Sequence, residues 1–291
     1  MDIKRKPEWL KVRLPCGSDT KRVQGILSDY RLHSVCQEAR CPNIAECFQD
    51  GTATFLILGN ICTRKCLYCN VQHGKPLNID ENEPERLVLA VKELKLNYIV
   101  ITSVTRDDLP DGGAEIFSRC VDALHKELPD CKVEVLIPDL KGNWQALERI
   151  IDSRPFVINH NIEIVPNLFS SLRPQGDYGR SLELLHRVHQ YGEAGLTVKS
   201  GFMVGFGETW DDILRLLHDL ASVHCGRLTV GQYLQPSLNH WPVAKYYEPD
   251  EFEVIKGMAY EMGLKHVESG PLVRSSYHAA KMLNDSHNDH Q

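Results

Sequence analysis

Three thiols in eight residues, Cys62-Thr-Arg-Lys-Cys66-Leu-Tyr-Cys69, stand in a CxxxCxxC spacing directly after the apolar run TATFLILG. Soft donors gathered in one loop suit an iron–sulfur cluster, and three of them leave one iron of a four-iron cluster without a protein ligand. Chemistry can occur at such an iron. Zinc is the competing reading, but structural zinc sites usually combine paired CxxC knuckles, or added His, into a closed shell of four, and the fourth knuckle residue is absent here. Just upstream, Cys36-Gln-Glu-Ala-Arg-Cys41-Pro-Asn-Ile-Ala-Glu-Cys47 sets three more thiols in a CxxxxCxxxxxC spacing. Exposed unpaired thiols would be open to oxidation, so this second set reads as an auxiliary cluster, with a zinc staple for the amino-terminal segment as its alternative.

The remaining four of the ten cysteines, Cys16, Cys120, Cys131 and Cys225, stand apart, and spacing gives none of them a ligand role. Cys120 lies in a helical apolar pattern and reads as core. A disulfide framework suits short secreted domains, whereas this chain of 291 residues opens MDIKRKPEWL without an apolar signal core and is long enough to bury a core unaided.

Side chains in such loops need a rigid frame behind them. After the cysteine-rich segment, β-branched runs alternate with helical patterns: TATFLILG, PERLVLAVKELK, YIVITS, AEIFSRCVDALHKEL, KVEVLIP, NWQALERIIDS, PFVINHNIEIV, RSLELLHRVHQYGEAG, LTVKSGFMVG, ETWDDILRLLHDLASV and RLTVGQYL. About six β/α units result, with strands apolar enough for a parallel sheet covered by helices. The expected fold is α/β, a partial (β/α)6-type TIM barrel over 52–269, with an amino-terminal cysteine-rich extension over 1–51 and a carboxy-terminal extension over 270–291 ending in a disordered polar tip. A doubly wound open sheet is the alternative. Thr209 reads as a helix cap followed by Asp211 and Asp212, and Gly195 as a helix stop. Gly112, Gly113, Gly201, Gly205 and Gly207 read as tight turns, and GFGE is not a phosphate fingerprint here.

With 33 Lys and Arg against 39 Asp and Glu, the formal charge is −6, which disfavours nucleic acid as a partner. The longest apolar runs are far too short to cross a bilayer, so no membrane is expected and the chain is placed in the cytoplasm.

The CxxxCxxC loop after the first strand of a β/α series, with Tyr68 before its last Cys, resembles the radical S-adenosylmethionine superfamily. The two triplets in this order resemble lipoyl synthases within it, and the resemblance covers nearly the entire chain: PEWLK at 7–11, TSVTRDDLPDGGA at 102–114, NHNIE at 159–163, LRP at 172–174, KSGFMVGFGET at 199–209, GQYLQPS at 231–237 and SGPLVRSSYHA at 269–279. The last segment, in that family, supplies a serine oxygen as fourth ligand of the auxiliary cluster; Ser276 is assigned, with Ser275 as the fallback. Without the upstream cysteines, these serines would read as a capping turn. One departure stands out, Ile164 where the family pattern leads to Thr.

The resemblance implies two [4Fe-4S] clusters and S-adenosyl-L-methionine as cofactors. Sulfur would be inserted at C6 and C8 of an octanoyl group amide-linked to a lysine of a carrier, such as the glycine cleavage H protein or a lipoyl domain of a 2-oxoacid dehydrogenase E2 subunit. Ferredoxin or flavodoxin would donate electrons. Cys62, Cys66 and Cys69 would hold the cluster that splits the sulfonium to a 5′-deoxyadenosyl radical, and Cys36, Cys41, Cys47 and Ser276 the cluster that supplies sulfur. Polar residues at strand ends are the candidates for S-adenosylmethionine: Thr102, Ser103, Asn161, Glu163, Arg173, Lys199 and Ser200. A carboxylate wants Arg or Lys, and ribose hydroxyls want Glu or Asn. His160 reads equally as a packed residue. Another sulfur-inserting enzyme of the superfamily, biotin-synthase-like or methylthiotransferase-like, is the alternative, and the RSSY segment together with the upstream triplet discriminates against it. The non-enzymatic alternative is an electron-transfer or zinc-stapled binding protein, whose metal sites must all be closed by protein ligands.

Overall fold

A computed structural model describes residues 5–12, 17–49, 53–192, 195–277 and 279. The elements run α1 (Ser18–Asp29), β1 (His33–Ser34), α2 (Val35–Glu38), α3 (Ile44–Gln49), β2 (Thr54–Ile57), α4 (Glu83–Leu94), β3 (Tyr98–Ser103), α5 (Ala114–Glu127) and β4 (Lys132–Leu136). They continue with α6 (Trp144–Asp152), β5 (Val157–Asn159), α7 (Pro166–Leu172), α8 (Tyr178–Tyr191), β6 (Thr197–Val204), α9 (Trp210–Ser222), β7 (Arg227–Gln232), α10 (Pro249–Glu261) and β8 (His266–Gly270).

The strands form one eight-stranded sheet in the order of the chain, β1 to β8. From β2 onward all neighbours are parallel, and β1 pairs antiparallel with β2 at the edge, His33 opposite Leu56. A doubly wound sheet reverses its strand order at a switch point. No reversal occurs here, so the architecture is a singly wound α/β partial barrel, and among the described residues no strand pairing joins β8 back to β1. The seven parallel strands exceed the six read from sequence because β8, HVESG, has only one buried residue and lacks a β-branched run.

The helices cover the outer face through their apolar stripes: Leu87 and Val91 of α4, Phe117 and Val121 of α5, and Leu216 and Leu220 of α9 are all fully buried. Thr209 caps α9 as expected, in a reciprocal pair with Asp212. The α8 helix stops before Gly192 rather than at Gly195, which follows with φ 107°. Gly113, with φ 94°, starts α5, and a Cβ there would overlap the Leu58 side chain at the end of β2. Cys120, Cys131 and Cys225 are buried. Cys16 and most of the predicted carboxy-terminal tip lie outside the described residues.

Candidate active site

The CxxxCxxC loop leaves the carboxyl end of β2, and the loop after β3, the end of α7 and the loop after β7 hold it through backbone bonds. Thr63 N–H donates to the Thr105 carbonyl at 3.0 Å, Leu67 N–H to Leu172 at 2.9 Å, and Trp241 N–H to Leu67 at 2.9 Å. Arg64, inside the loop, is the main anchor. Its guanidinium makes a two-pronged contact with Asp107, at 2.7 and 2.9 Å, and reaches Asp139 at 2.6 Å. Burial works against the Asp139 carboxylate, yet the Arg64 bond and charge hold it down at about 2. Tyr68 packs edge-on against Phe206, which stacks on Tyr233.

The second triplet is carried by two short helices. Ser34 caps α2 by accepting from Cys36 N–H at 3.1 Å, Cys41 N–H donates back to the Cys36 carbonyl at 3.0 Å, and Cys47 lies in α3. Asn70, next to Cys69, donates to the Glu38 carbonyl at 2.8 Å and so ties the two cysteine segments together.

The RSSY segment folds back onto both. Thr54 Oγ1 donates to Ser276 Oγ at 2.7 Å, and Asn161 Nδ2 to Ser275 Oγ at 2.5 Å. Tyr277 bonds Glu46 of α3 at 3.1 Å. The segment can approach β7 because residue 231 is glycine: a Cβ there would overlap the Val273 carbonyl. The turn read from Ser275-Ser276-Tyr277 is present, Tyr277 N–H donating to the Arg274 carbonyl at 2.9 Å.

One cavity of about 510 Å³ brings these parts together. Cys36, Cys41, Cys69, Tyr68, Ser275 and Ser276 line it, and Asn161, Glu163 and Arg274 face it as well. Cys47, Cys62 and Cys66 are half-buried outside its lining.

The seven S-adenosylmethionine candidates separate. Asn161 and Glu163 line the cavity, joined by an Nδ2–Oε1 bond of 3.1 Å. Glu163 sits in the left-handed region, φ 71°, an unfavourable conformation for a non-glycine residue. Two backbone bonds to β6, each 2.9 Å, hold it there: its N–H donates to Gly201 and its carbonyl accepts from Met203. Burial raises the Glu163 carboxyl above its ordinary range, against the opposing charge of Arg173. Arg173 lies over the Phe169 ring and donates to the Asn161 and Ile162 carbonyls. Burial works against its charge, but Tyr68, Glu163 and Cys66 raise its pKa. Thr102 is committed to the Leu136 carbonyl at 2.9 Å, whereas the buried Ser103 hydroxyl has no partner.

Lys199 and Ser200 do not reach the ligand space. Lys199 is 0% exposed and ion-paired with Glu134 at 2.8 Å, and that carboxylate also accepts from Tyr98 and Asn159. A lone lysine in an apolar strand looks like a ligand contact because its partner lies 65 positions away. Ser200 is spent on the His160 carbonyl at 2.9 Å. His160 is itself buried with Nδ1 against the Ile137 carbonyl, and burial lowers its pKa to about 4. Ile164 is fully buried core. Thr54, Arg64, Asn70 and Arg274 were not singled out from sequence. For Arg64 the signal was available, a cation inside a cysteine loop with Asp107 in the TRDD run.

The donor chemistry fits iron–sulfur cores. Burial pushes the Cys69 thiol up to about 12 and Cys41 up to about 11, so each needs a bound cationic metal to become a thiolate ligand. A polar cofactor also fits: Asn161 Oδ1, Ser103 Oγ and Arg173 Nε are buried without partners.

Family comparisons agree with this geometry. Residues 56–220 match the radical SAM superfamily and residues 1–41 the N-terminal domain of lipoyl synthase of that family. A lipoyl synthase of Roseiflexus sp. (strain RS-1) is 52% identical over 280 residues, covering 96% of this chain and 93% of the relative. One from Rubrobacter xylanophilus is 50% identical over 281 residues, covering 97% and 87%. Among solved structures, Streptococcus suis SuiB bound to S-adenosylmethionine superposes with a TM-score of 0.57 at 13% identity, covering 78% of this chain and 53% of that one. Methylornithine synthase (PylB) gives 0.54 at 13% identity, covering 86% and 81%. At such identities these two likenesses speak to the fold alone.

Proposed function

Because this chain belongs to the lipoyl synthase family of radical S-adenosylmethionine enzymes, we propose that Cys62, Cys66 and Cys69 hold its first [4Fe-4S] cluster, and that Cys36, Cys41, Cys47 and Ser276 hold its auxiliary one. The enzyme inserts two sulfur atoms, at C6 and C8, into an octanoyl group carried on a lysine of a lipoyl carrier protein. Those C–H bonds offer neither an acidic proton nor an electrophilic carbon, so side-chain acid–base chemistry has nothing to act on. When bound, the first cluster with S-adenosylmethionine supplies the one-electron chemistry and the auxiliary cluster the sulfur.

The protein contributes placement and exclusion of water. Arg64 fixes the first loop to the ends of β3 and β4, Glu163 and Asn161 present a carboxyl and an amide to the cofactor's polar groups, and Arg173 lies behind them. Tyr68 and Phe206 supply an apolar wall. Ser276, an oxygen donor among thiols, is a harder ligand than its neighbours and the one most readily displaced.

The observation that carries this reading is the single cavity lined from both cysteine loops and from the RSSY turn. Cytoplasmic location, the 1–51, 52–269 and 270–291 division, and H protein, E2 lipoyl domains and a ferredoxin or flavodoxin as partners belong to the same proposal. The test is anoxic reconstitution followed by mass spectrometry of an octanoylated carrier peptide. About eight irons per chain and a gain of two sulfurs are expected. A chain whose Cys36, Cys41 and Cys47 are all replaced by Ala should still cleave S-adenosylmethionine but insert no sulfur; retained insertion would refute the ligand assignment.

A further inference from the structure

Between Cys41 and Cys47 lies a buried primary amide, Asn43, only 4% exposed. Its polar groups join two separate segments. The backbone carbonyl accepts from Cys47 N–H at 3.0 Å. The side-chain Nδ2 donates to the Leu272 carbonyl at 2.7 Å, a contact spanning 229 positions of sequence. Leu272 lies in the Gly270–Val273 turn, directly before the Arg274–Tyr277 turn that carries Ser275 and Ser276. One residue therefore links the backbone at Cys47 to the backbone of the serine segment.

We propose that Asn43 is a positioning residue of the sulfur-supplying site, locking the RSSY turn in register with the Cys36–Cys47 loop; this rests on the ligand assignment above. The turn itself is attached through its hydroxyls, Ser276 to Thr54, Ser275 to Asn161 and Tyr277 to Glu46. The Asn43 bond, with the longer 3.4 Å bond from Gln232 N–H to the Pro271 carbonyl, instead holds the segment's main chain upstream of the serines. If Ser276 ligates and then leaves a metal, that hold would stay in place and return the hydroxyl to the same spot. The chemistry of the side chain suits the task. An amide donates without carrying charge, whereas an aspartate of the same shape would set an anionic oxygen against the Leu272 carbonyl.

The test uses full-length, anoxically reconstituted holoenzyme carrying Asn43→Ala or Asn43→Asp. Hydrogen exchange of the 270–277 backbone should accelerate about tenfold, as expected when one buried hydrogen bond is lost from a locally opening segment. The electron paramagnetic resonance signature of the auxiliary cluster should change, while that of the Cys62/Cys66/Cys69 cluster stays as in the parent. Unchanged exchange and an unchanged auxiliary spectrum in both variants would overturn the proposal. So would equal loss of both clusters, which would make Asn43 a general packing residue. A parent that holds one cluster overturns the ligand assignment instead, a result visible before any variant is made.

Discussion

Replacing Arg64 by Met tests how the first cysteine loop is anchored. The guanidinium is 3% exposed, and its loss removes three bonds of 2.6 to 2.9 Å. Asp139, fully buried, keeps only Arg180 at 3.3 Å and the Lys141 N–H at 3.1 Å. Breaking a buried pair by removing one partner costs about 3–5 kcal/mol, a large share of the roughly 5–15 kcal/mol that holds a domain together. The pH dependence gives an independent check. Asp139 is held down at about 2 in the folded chain, against about 3.9 when unfolded, a difference worth about 2–3 kcal/mol. A depressed carboxylate stabilises fully above its unfolded pKa, and that contribution is lost as pH falls through the folded value. In Arg64→Met, burial is left with less opposing charge, so the gap between parent and variant should be full near neutrality and about 1 kcal/mol smaller at about pH 3. Urea unfolding of the metal-free, thiol-reduced chain, followed by tryptophan fluorescence, measures it. A cost below about 1 kcal/mol at about pH 7, or a gap that does not change with pH, would refute the reasoning.

Lys199→Met should lower stability by about 3–5 kcal/mol because it strands Glu134, and adding Glu134→Gln should recover much of it; the KM for S-adenosylmethionine should not move, and a rise of about tenfold would put Lys199 back at the ligand. Gly231→Ala pushes a methyl into the Val273 carbonyl, an overpacking cost of about 1–3 kcal/mol, so tryptic cleavage after Arg274 in the holoenzyme should speed up about tenfold, and an unchanged rate would contradict the close approach described. Ser276→Cys should keep about eight irons but insert sulfur at least about tenfold more slowly, because a thiolate is better matched to iron than an alkoxide; parent-like turnover counted by mass spectrometry would show that the ligand's hardness is not what matters.

Local chemistry was legible in the sequence, and long-range pairing was not. The spacing of Cys62, Cys66 and Cys69 is enough to motivate the ligand proposal without coordinates, and the apolar runs of β2, β3 and β4 announce a buried parallel sheet. The β8 strand escaped because Val267 is its only buried residue, so no apolar run marks it. Lys199 was misread because nothing adjacent to it names Glu134, and Thr54 was passed over because a threonine opening an apolar strand is ordinary until Ser276 is seen against it. Asn161 and Glu163 could be picked out because both fall in one short motif after a strand, while Asn43 lies among cysteines that draw the eye first.

Among the described residues β1 and β8 are the two edges of the sheet, which has a consequence for how the molecule is made. Cys36 follows the edge strand β1, the RSSY turn follows the opposite edge strand β8, and the bond from Asn43 to Leu272 spans the gap between them. During synthesis the amino-terminal half of that bond emerges early and must wait, its loop unclosed, until the rest of the barrel has been translated and wound. Closing so long a loop carries an entropic cost that only a finished sheet can offset. Any truncated or stalled product therefore lacks the Asn43–Leu272 bond altogether, and a nascent chain acquires it last.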